Sequence, residues 1–381
     1  MRVKLKDVAD RIKGNEDRLV TKLPYYLGGE HYESGSIAIY DKGLIHSDEG
    51  RKLGFKFHFP FQKGDTIFMA RNPHLKKAGM VMYNGICSDA SYILRTKDES
   101  VLLSRYLPLV MQDDRTWGFF EREKSGSTNF LMNWKELKEY EFELPDIETQ
   151  RKIADLAWAM EETKQAYRRL MEKTDELVRS QFIARFVKDT SNGTLTTVEN
   201  CCQRISSGGT PSMKHPEYYG GDIPFIKSGD VKTEQISDGA LWLTRAALKE
   251  TSAELLPKGT VIVVVRSAVL KREFHAGILQ EPAVVNQDLK GFQPKDGILP
   301  EYLLWAIKSR EDEILGRVQS MLTSHIEMKH LLSLKIRLAS MEEQVAWKNF
   351  LHQAAASKSA LQQSIDALQK TYRKLVSERL G

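Results

Sequence analysis

Two stretches of this chain run for about forty residues without a glycine or a proline, and they constrain the rest. The first is Ile147 to Phe186. In it Ile153, Leu156, Met160, Thr163, Tyr167, Leu170, Thr174 and Leu177 alternate spacings of three and four, which predicts a heptad seam with charge on the other faces. Pro145 and Asp146 stand just ahead of it, and Asp146 is the expected N-cap. At 1.5 Å per residue, forty residues make a rod of roughly 60 Å, longer than an ordinary globular domain needs. The second stretch, Met341 to Leu380, echoes the first. Leu144, Glu148, Gln150 and Leu156 recur as Leu338, Glu342, Gln344 and Phe350, and Ile153 maps onto Trp347. Two such seams most simply pack on each other. If they run antiparallel, the last helix returns toward the first domain and the chain is nearly circular.

The segments between the rods repeat as well. Residues 1–145 and 191–339 read as two α+β domains, with rods at 146–190 and 340–381. The matches are Pro24 to Glu30 with Pro224 to Asp230, Gly64-Asp65-Thr66-Ile67 with Gly259-Thr260-Val261-Ile262, Arg71 with Arg266, and Ala78-Gly79 with Ala276-Gly277. A period near 195 residues indicates duplication rather than a solenoid of short repeats. In the first domain, Leu5 to Ile12 reads as an opening helix. Short strands are expected at Ile37–Tyr40, Phe55–Phe59, Thr66–Ala70, Gly79–Tyr83 and Ser91–Leu94, and helices at Leu102–Met111 and Trp134–Glu139. The alternation of Phe55, Phe57 and Phe59 predicts core positions. Trp158 lies off the seam, where it faces a partner protein or packs on a neighbouring domain.

Length and composition narrow the class. The chain has 381 residues, enough for two or three domains with real cores. With 41% hydrophobic and 28% charged residues, it contains no run of 18 apolar residues to span a membrane. Met1 to Gly14 lacks the apolar centre of a secretion signal. Cys87, Cys201 and Cys202 are too few and too irregular for a disulfide framework or a zinc site, so a cytoplasmic location is expected. The excess of 56 Lys+Arg over 51 Asp+Glu mildly favours a nucleic-acid partner.

Enzymatic motifs are missing. There is no phosphate-binding Gly-Lys-Ser/Thr, no His-Glu-x-x-His, no Gly-x-Ser-x-Gly and no Asn/Asp-Pro-Pro-Tyr/Phe. Glu281 with Asp288 and Lys290 is too loose a spacing for a metal nuclease. No catalytic or metal-ligating residues are therefore expected in this chain.

Binding signals are richer. Ser207-Gly208-Gly209-Thr210-Pro211-Ser212, followed by Lys214, is a hydroxyl- and amide-rich loop suited to phosphate contact. Lys227 and Ser228 follow an apolar strand. Arg71 and Arg266 each end an apolar strand and lead into basic loops holding Lys76 and Lys77 in one half, Lys271 and Arg272 in the other. A second polar-basic loop with Lys124, Ser125 and Asn129 is echoed by Ser320 and Thr323. Asn129 and Asn286-Gln287 have the amides that pair with adenine. A strand that delivers a basic loop at matching places in both halves suits a reader of two DNA segments.

These motifs together resemble one family. Gly208-Gly209-Thr210-Pro211-Ser212, Ile223 to Asp230, Leu256 to Val261, Asn286-Gln287 and the two rods opened by Leu-x-x-x-Glu-x-Gln resemble the specificity subunit of type I restriction-modification enzymes. The resemblance spans the chain and is closer in the second half. The first half lacks Gly-Gly-Thr-Pro and has Ser88-Asp89 where Asn-Gln would stand. It implies two α+β target-recognition domains, each reading one half of a bipartite site in double-stranded DNA, held apart by two long helices in an antiparallel coiled coil. It implies two modification subunits as partners, carrying S-adenosylmethionine and methylating adenine N6. A restriction subunit that joins them would bring ATP and Mg. Two other readings stay open on the residues alone. One is a coiled-coil scaffold joining two protein-binding domains without nucleic acid. The other is a nuclease or transferase with unrecognised motifs.

Overall fold

The computed structural model describes residues 1–125, 130–188, 194–320 and 324–379. It forms two compact units, one from Met1–Leu170 together with Leu361–Gly381, the other from Met171–Ala360. Both are built on one plan. In unit 1 a five-stranded sheet runs in the order Ala9–Ile12, Ser91–Thr96, Thr66–Met69, Ala78–Val81, Ala38–Ile39. In unit 2 the order is Cys202–Ser207, Leu289–Pro294, Val261–Val264, Ala276–Leu279, Gln235–Ile236. The first three pairings are antiparallel and the last is parallel in both. Each unit adds a four-stranded sheet. It contains Tyr25–Leu27 parallel to Gly85–Ser88 in unit 1, and Tyr219–Ile226 parallel to Ala283–Val285 in unit 2. The central strands are apolar on both faces, Val261 to Val264 being buried throughout, as strands covered on two sides must be.

The long helices span Ile147–Phe182 and Met341–Arg379. Asp146 caps the first, its Oδ1 accepting from the Thr149 amide at 2.9 Å. These bonds, from the Thr149 amide and hydroxyl, hold its carboxyl below the usual carboxylate range. Ser340 caps the second through a reciprocal pair with Glu343. One turn into each helix a buried glutamine ties it to its unit. Gln150 Oε1 accepts from the Leu103 amide at 3.0 Å, while its Nε2 donates to Val101 O at 2.8 Å and Pro145 O at 2.9 Å. Gln344 does the same to the Leu299 amide, Gly297 O and Ala339 O. Within unit 1 the opening turns of the first helix, at Ala157, Glu161 and Lys164, share a cleft with the closing turns of the second, at Leu368, Tyr372 and Arg373. Within unit 2, Phe182 near the end of the first helix stacks edge-on against Trp347 near the start of the second, at 5.0 Å. The two helices are therefore antiparallel.

Several sequence expectations are corrected. Leu5–Val8 is helical, but Ala9–Ile12 is the edge strand of the five-stranded sheet. Phe55 is 77% exposed; the strand begins at Phe57 and the buried phenylalanine is Phe61. The helix expected from Leu102 begins at Leu107, and a further helix, Asp114–Glu123, follows it. The packed face of the first long helix is Ile153, Ala154, Ala157, Glu161 and Lys164 in unit 1. Leu156 and Leu170, which the heptad spacing predicts in the seam, are about half exposed, as is Leu177. The physical reason lies in Lys164. Its ammonium is enclosed by Glu161 at 2.7 Å and Glu33 at 3.5 Å, so charge is buried as ion pairs where the seam was read from apolar residues. Trp158 is buried, donates from Nε1 to Arg105 O at 2.8 Å, and packs on its own unit.

Candidate nucleic-acid interface

The candidate residues of unit 2 converge. Val261–Val264 ends at Val265 and Arg266, whose amides both donate to Asp288 O. That places Arg266 beside Gln287, and Gln287 Oε1 accepts from the Thr210 hydroxyl. Glycine is required at 208, because a β-carbon there would collide with the carbonyl oxygens of Val285 and Asn286. The loop is then pinned further on, where Tyr219 donates from its hydroxyl to Pro211 O at 2.6 Å. Lys214 is exposed on its far side. Lys227 and Ser228 join the same edge, since Asn286 N donates to Ile226 O at 3.0 Å. Asp230 turns that loop by accepting from the Lys227 amide at 2.8 Å.

The two basic loops foreseen in each half are neighbours. In unit 2 the Ser267 amide donates to Ser324 O at 3.1 Å, and Arg266 bridges to His325. Ser320 pairs with Ser324 in the short hairpin between them. Lys271 ends the short turn Ala268–Lys271, and Arg272 follows it; both side chains are exposed. In unit 1 the Asn72 amide donates to Phe130 O at 2.9 Å, and Arg71 bridges to Leu131. Ser125 pairs with Leu131 as well, and Lys124 lies over the Phe130 ring at 4.0 Å. Asn129 and Thr323 lie outside the described residues.

Unit 1 presents fewer bases. Lys76 has positive φ, pairs with Asp114 at 2.7 Å and lines the cleft beside the long helices. Lys77 is half-buried and donates to Gly29 O at 2.7 Å. Arg71 remains on the loop pair, and Lys124 there is paired with Glu121 at 2.5 Å. The loops of both units are visible in the sequence, but the Thr210–Gln287 bond, which spans 77 residues, leaves no signal there. Singly, the exposed apolar residues at the loop tips give no such signal, although Leu19 and Met213 stand 194 apart, the offset that also relates Gln150 to Gln344. Among the described residues no group of acidic, histidine or cysteine side chains is arranged to hold a metal ion. No helix among them is long and apolar enough to cross a membrane.

The family model for the type I restriction modification DNA specificity domain matches residues 1–163 and again 202–369. The EcoR124I/EcoR124II specificity subunit of Escherichia coli is 31% identical over 140 residues, 36% of this chain and 35% of that one. The MjaIX specificity subunit of Methanocaldococcus jannaschii is 36% identical over 109 residues, 28% of this chain and 24% of that one. The aligned stretches thus span about a third and a quarter of those relatives. A chain from a solved type I R-M system superimposes with a TM-score of 0.62 at 18% identity, over 100% of this chain and 97% of that one. The specificity subunit from M. genitalium gives 0.52 at 15%, over 100% and 95%. At these identities the two structures establish the shared fold.

Proposed function

Because the chain belongs to the type I restriction-modification DNA specificity family, we propose that each of its units reads one half of a bipartite DNA site. The observation that carries this reading is the convergence of loops in each unit. In both, the strand-ending arginine, Arg71 or Arg266, is bridged to a second polar loop at the rim of matching five-stranded sheets. Phosphate contacts from such loops fix register, and side-chain amides such as that of Gln287 pair with base edges.

The long helices are the docking site for two adenine-N6 methyltransferase subunits. Leu156, Leu170 and Leu177 recur at multiples of seven on one face of the first helix and stay about half exposed, an apolar face fit for partner helices. S-adenosylmethionine belongs to those subunits, and ATP and Mg to a restriction subunit. This chain supplies recognition and no chemistry.

The test is a gel shift of the full chain on random-sequence duplex across a salt series, followed by incubation with labelled S-adenosylmethionine with and without the methyltransferase subunits. Salt-dependent binding, with methyl transfer confined to the assembled complex, is the expected result. A chain that binds no duplex at any salt is a protein scaffold instead, and one that methylates alone is an enzyme.

A further inference from the structure

We propose that the apolar tips of one duplicated loop, Leu19 and Val20 in unit 1 and Met213 in unit 2, contact base edges in duplex DNA. The inference rests on the DNA-reading function and extends it to residues that neither charge nor hydrogen-bonding capacity would single out.

The two loops occupy the same place in the fold. Each follows the edge strand of its five-stranded sheet, Ala9–Ile12 or Cys202–Ser207. Leu19 is 67% exposed, Val20 76% and Met213 76%. Single exposed apolar residues are common on protein surfaces and need no account. A large one in the same loop of both copies, on a loop held by its own hydrogen bonds, is a different observation.

Both loops are built. In unit 1 Asp17 turns the chain, its Oδ1 accepting from the Leu19 amide at 2.9 Å and its carbonyl from the Val20 and Thr21 amides. The Thr21 hydroxyl donates to Glu16 at 2.6 Å, and Arg18 Nε donates to Leu53 O at 2.9 Å. In unit 2 Thr210 is held by Gln287 and Pro211 by Tyr219, on one side of Met213. On the other side the His215 ring stacks on Tyr218 at 5.1 Å. Nothing in these networks packs the apolar tips away. A preorganised loop that holds apolar groups in water is arranged for a partner that covers them.

The surroundings indicate which partner. Lys13 and Lys22 flank the unit 1 tip and Lys214 follows Met213, all three exposed. The acids of these loops are turned to internal work, Asp17 and Glu16 in the first and Glu217 against His215 in the second. Met213 shares its loop with Thr210, which is bonded to the candidate base-reading Gln287. An apolar tip beside exposed lysines fits a polyanion with an apolar inner edge. In the major groove that edge is the thymine 5-methyl group, the apolar mark that separates it from the other bases.

The experiment selects duplexes from a randomised pool with the full chain, its Met213→Ser variant, and its Leu19→Ser/Val20→Ser variant. The selected duplexes are then remade with deoxyuridine in place of thymidine, which removes only the methyl groups. The wild-type chain should lose affinity on the uracil duplex by on the order of tenfold. Met213→Ser should relax preference at one or two positions of one half-site, Leu19→Ser/Val20→Ser in the other, and each should lose part of the thymine–uracil difference. The slope of affinity against salt should not change, because no phosphate contact is removed. Met213→Leu should restore the preference. Unchanged base preferences in both variants overturn the inference, as does a weakened union with methyltransferase subunits alone, which would make the tips a protein contact. A wild-type chain that selects no consensus instead overturns the DNA-reading function itself.

Discussion

Gln150 and Gln344, at positions 194 apart, make the same three hydrogen bonds. Each accepts one amide and donates to two carbonyls, and each is almost wholly buried, at 0% and 1% exposed. Gln150→Ala leaves the Leu103 amide and two carbonyls without partners inside unit 1. The expected cost is about 2–4 kcal/mol, from the desolvation of unpaired groups. Gln344→Ala should cost unit 2 a similar amount. Hydrogen exchange at the first turns of each long helix reads the two effects separately, and exchange unchanged in both would show the clamps to be dispensable.

Glu33 gives unit 1 an acid sensitivity. Burial raises its pKa, but hydrogen bonds and charge from Arg168 and Lys164 outweigh burial and hold it below its ordinary 4.5. A depressed carboxylate contributes stability that is complete above the unfolded value, about 4.5, and is lost as pH falls through the folded value. Unit 1 should therefore lose stability on the acid side, and Glu33→Gln should flatten that limb while lowering stability at neutral pH. Thermal melts of both proteins between pH 3 and 7 would show it. Parallel pH curves would rule it out.

Replacing Lys271 and Arg272 with Ala tests the assignment of bases to half-sites. Binding should weaken, and the salt slope should fall by up to about one per lost phosphate contact. Base preference in the half-site read by unit 1 should stay fixed. Selection from a randomised duplex pool measures both, and a shift in the unit 1 half-site would mean the units do not read independently.

The exposed leucines of the first helix make a separate prediction. Leu156→Ser with Leu170→Ser should weaken union with methyltransferase subunits by about 1–3 kcal/mol, from the apolar area no longer buried. DNA binding by the chain alone should be untouched. Size-exclusion chromatography of the mixed subunits, beside a gel shift, tells the two apart.

The duplication was legible because it left identical residues at nearly equal offsets: Glu148 with Glu342 and Gln150 with Gln344 at 194, Gly79 with Gly277 at 198. The helix seam was misread because part of its packed face is Ala154, Ala157, Glu161 and Lys164, small or ion-paired rather than apolar. Phe55 lies outside the core, since alternation shows a period and not a strand's starting point. The basic loops could be foreseen singly. Their adjacency could not, since it rests on pairs such as Arg266 with His325 that only the folded sheet brings together.

Unit 2 is one continuous run, Met171–Ala360, whereas unit 1 needs Leu361–Gly381 as well as Met1–Leu170. During synthesis the segment that emerges first is then the last to be finished. Tyr372 and Leu375 pack on the unit 1 core, so that core waits with an open flank while everything between is translated. A ribosome that stalls after Ala360 would release a complete unit 2 beside an unfinished unit 1. Protease attack on such a fragment should begin in unit 1.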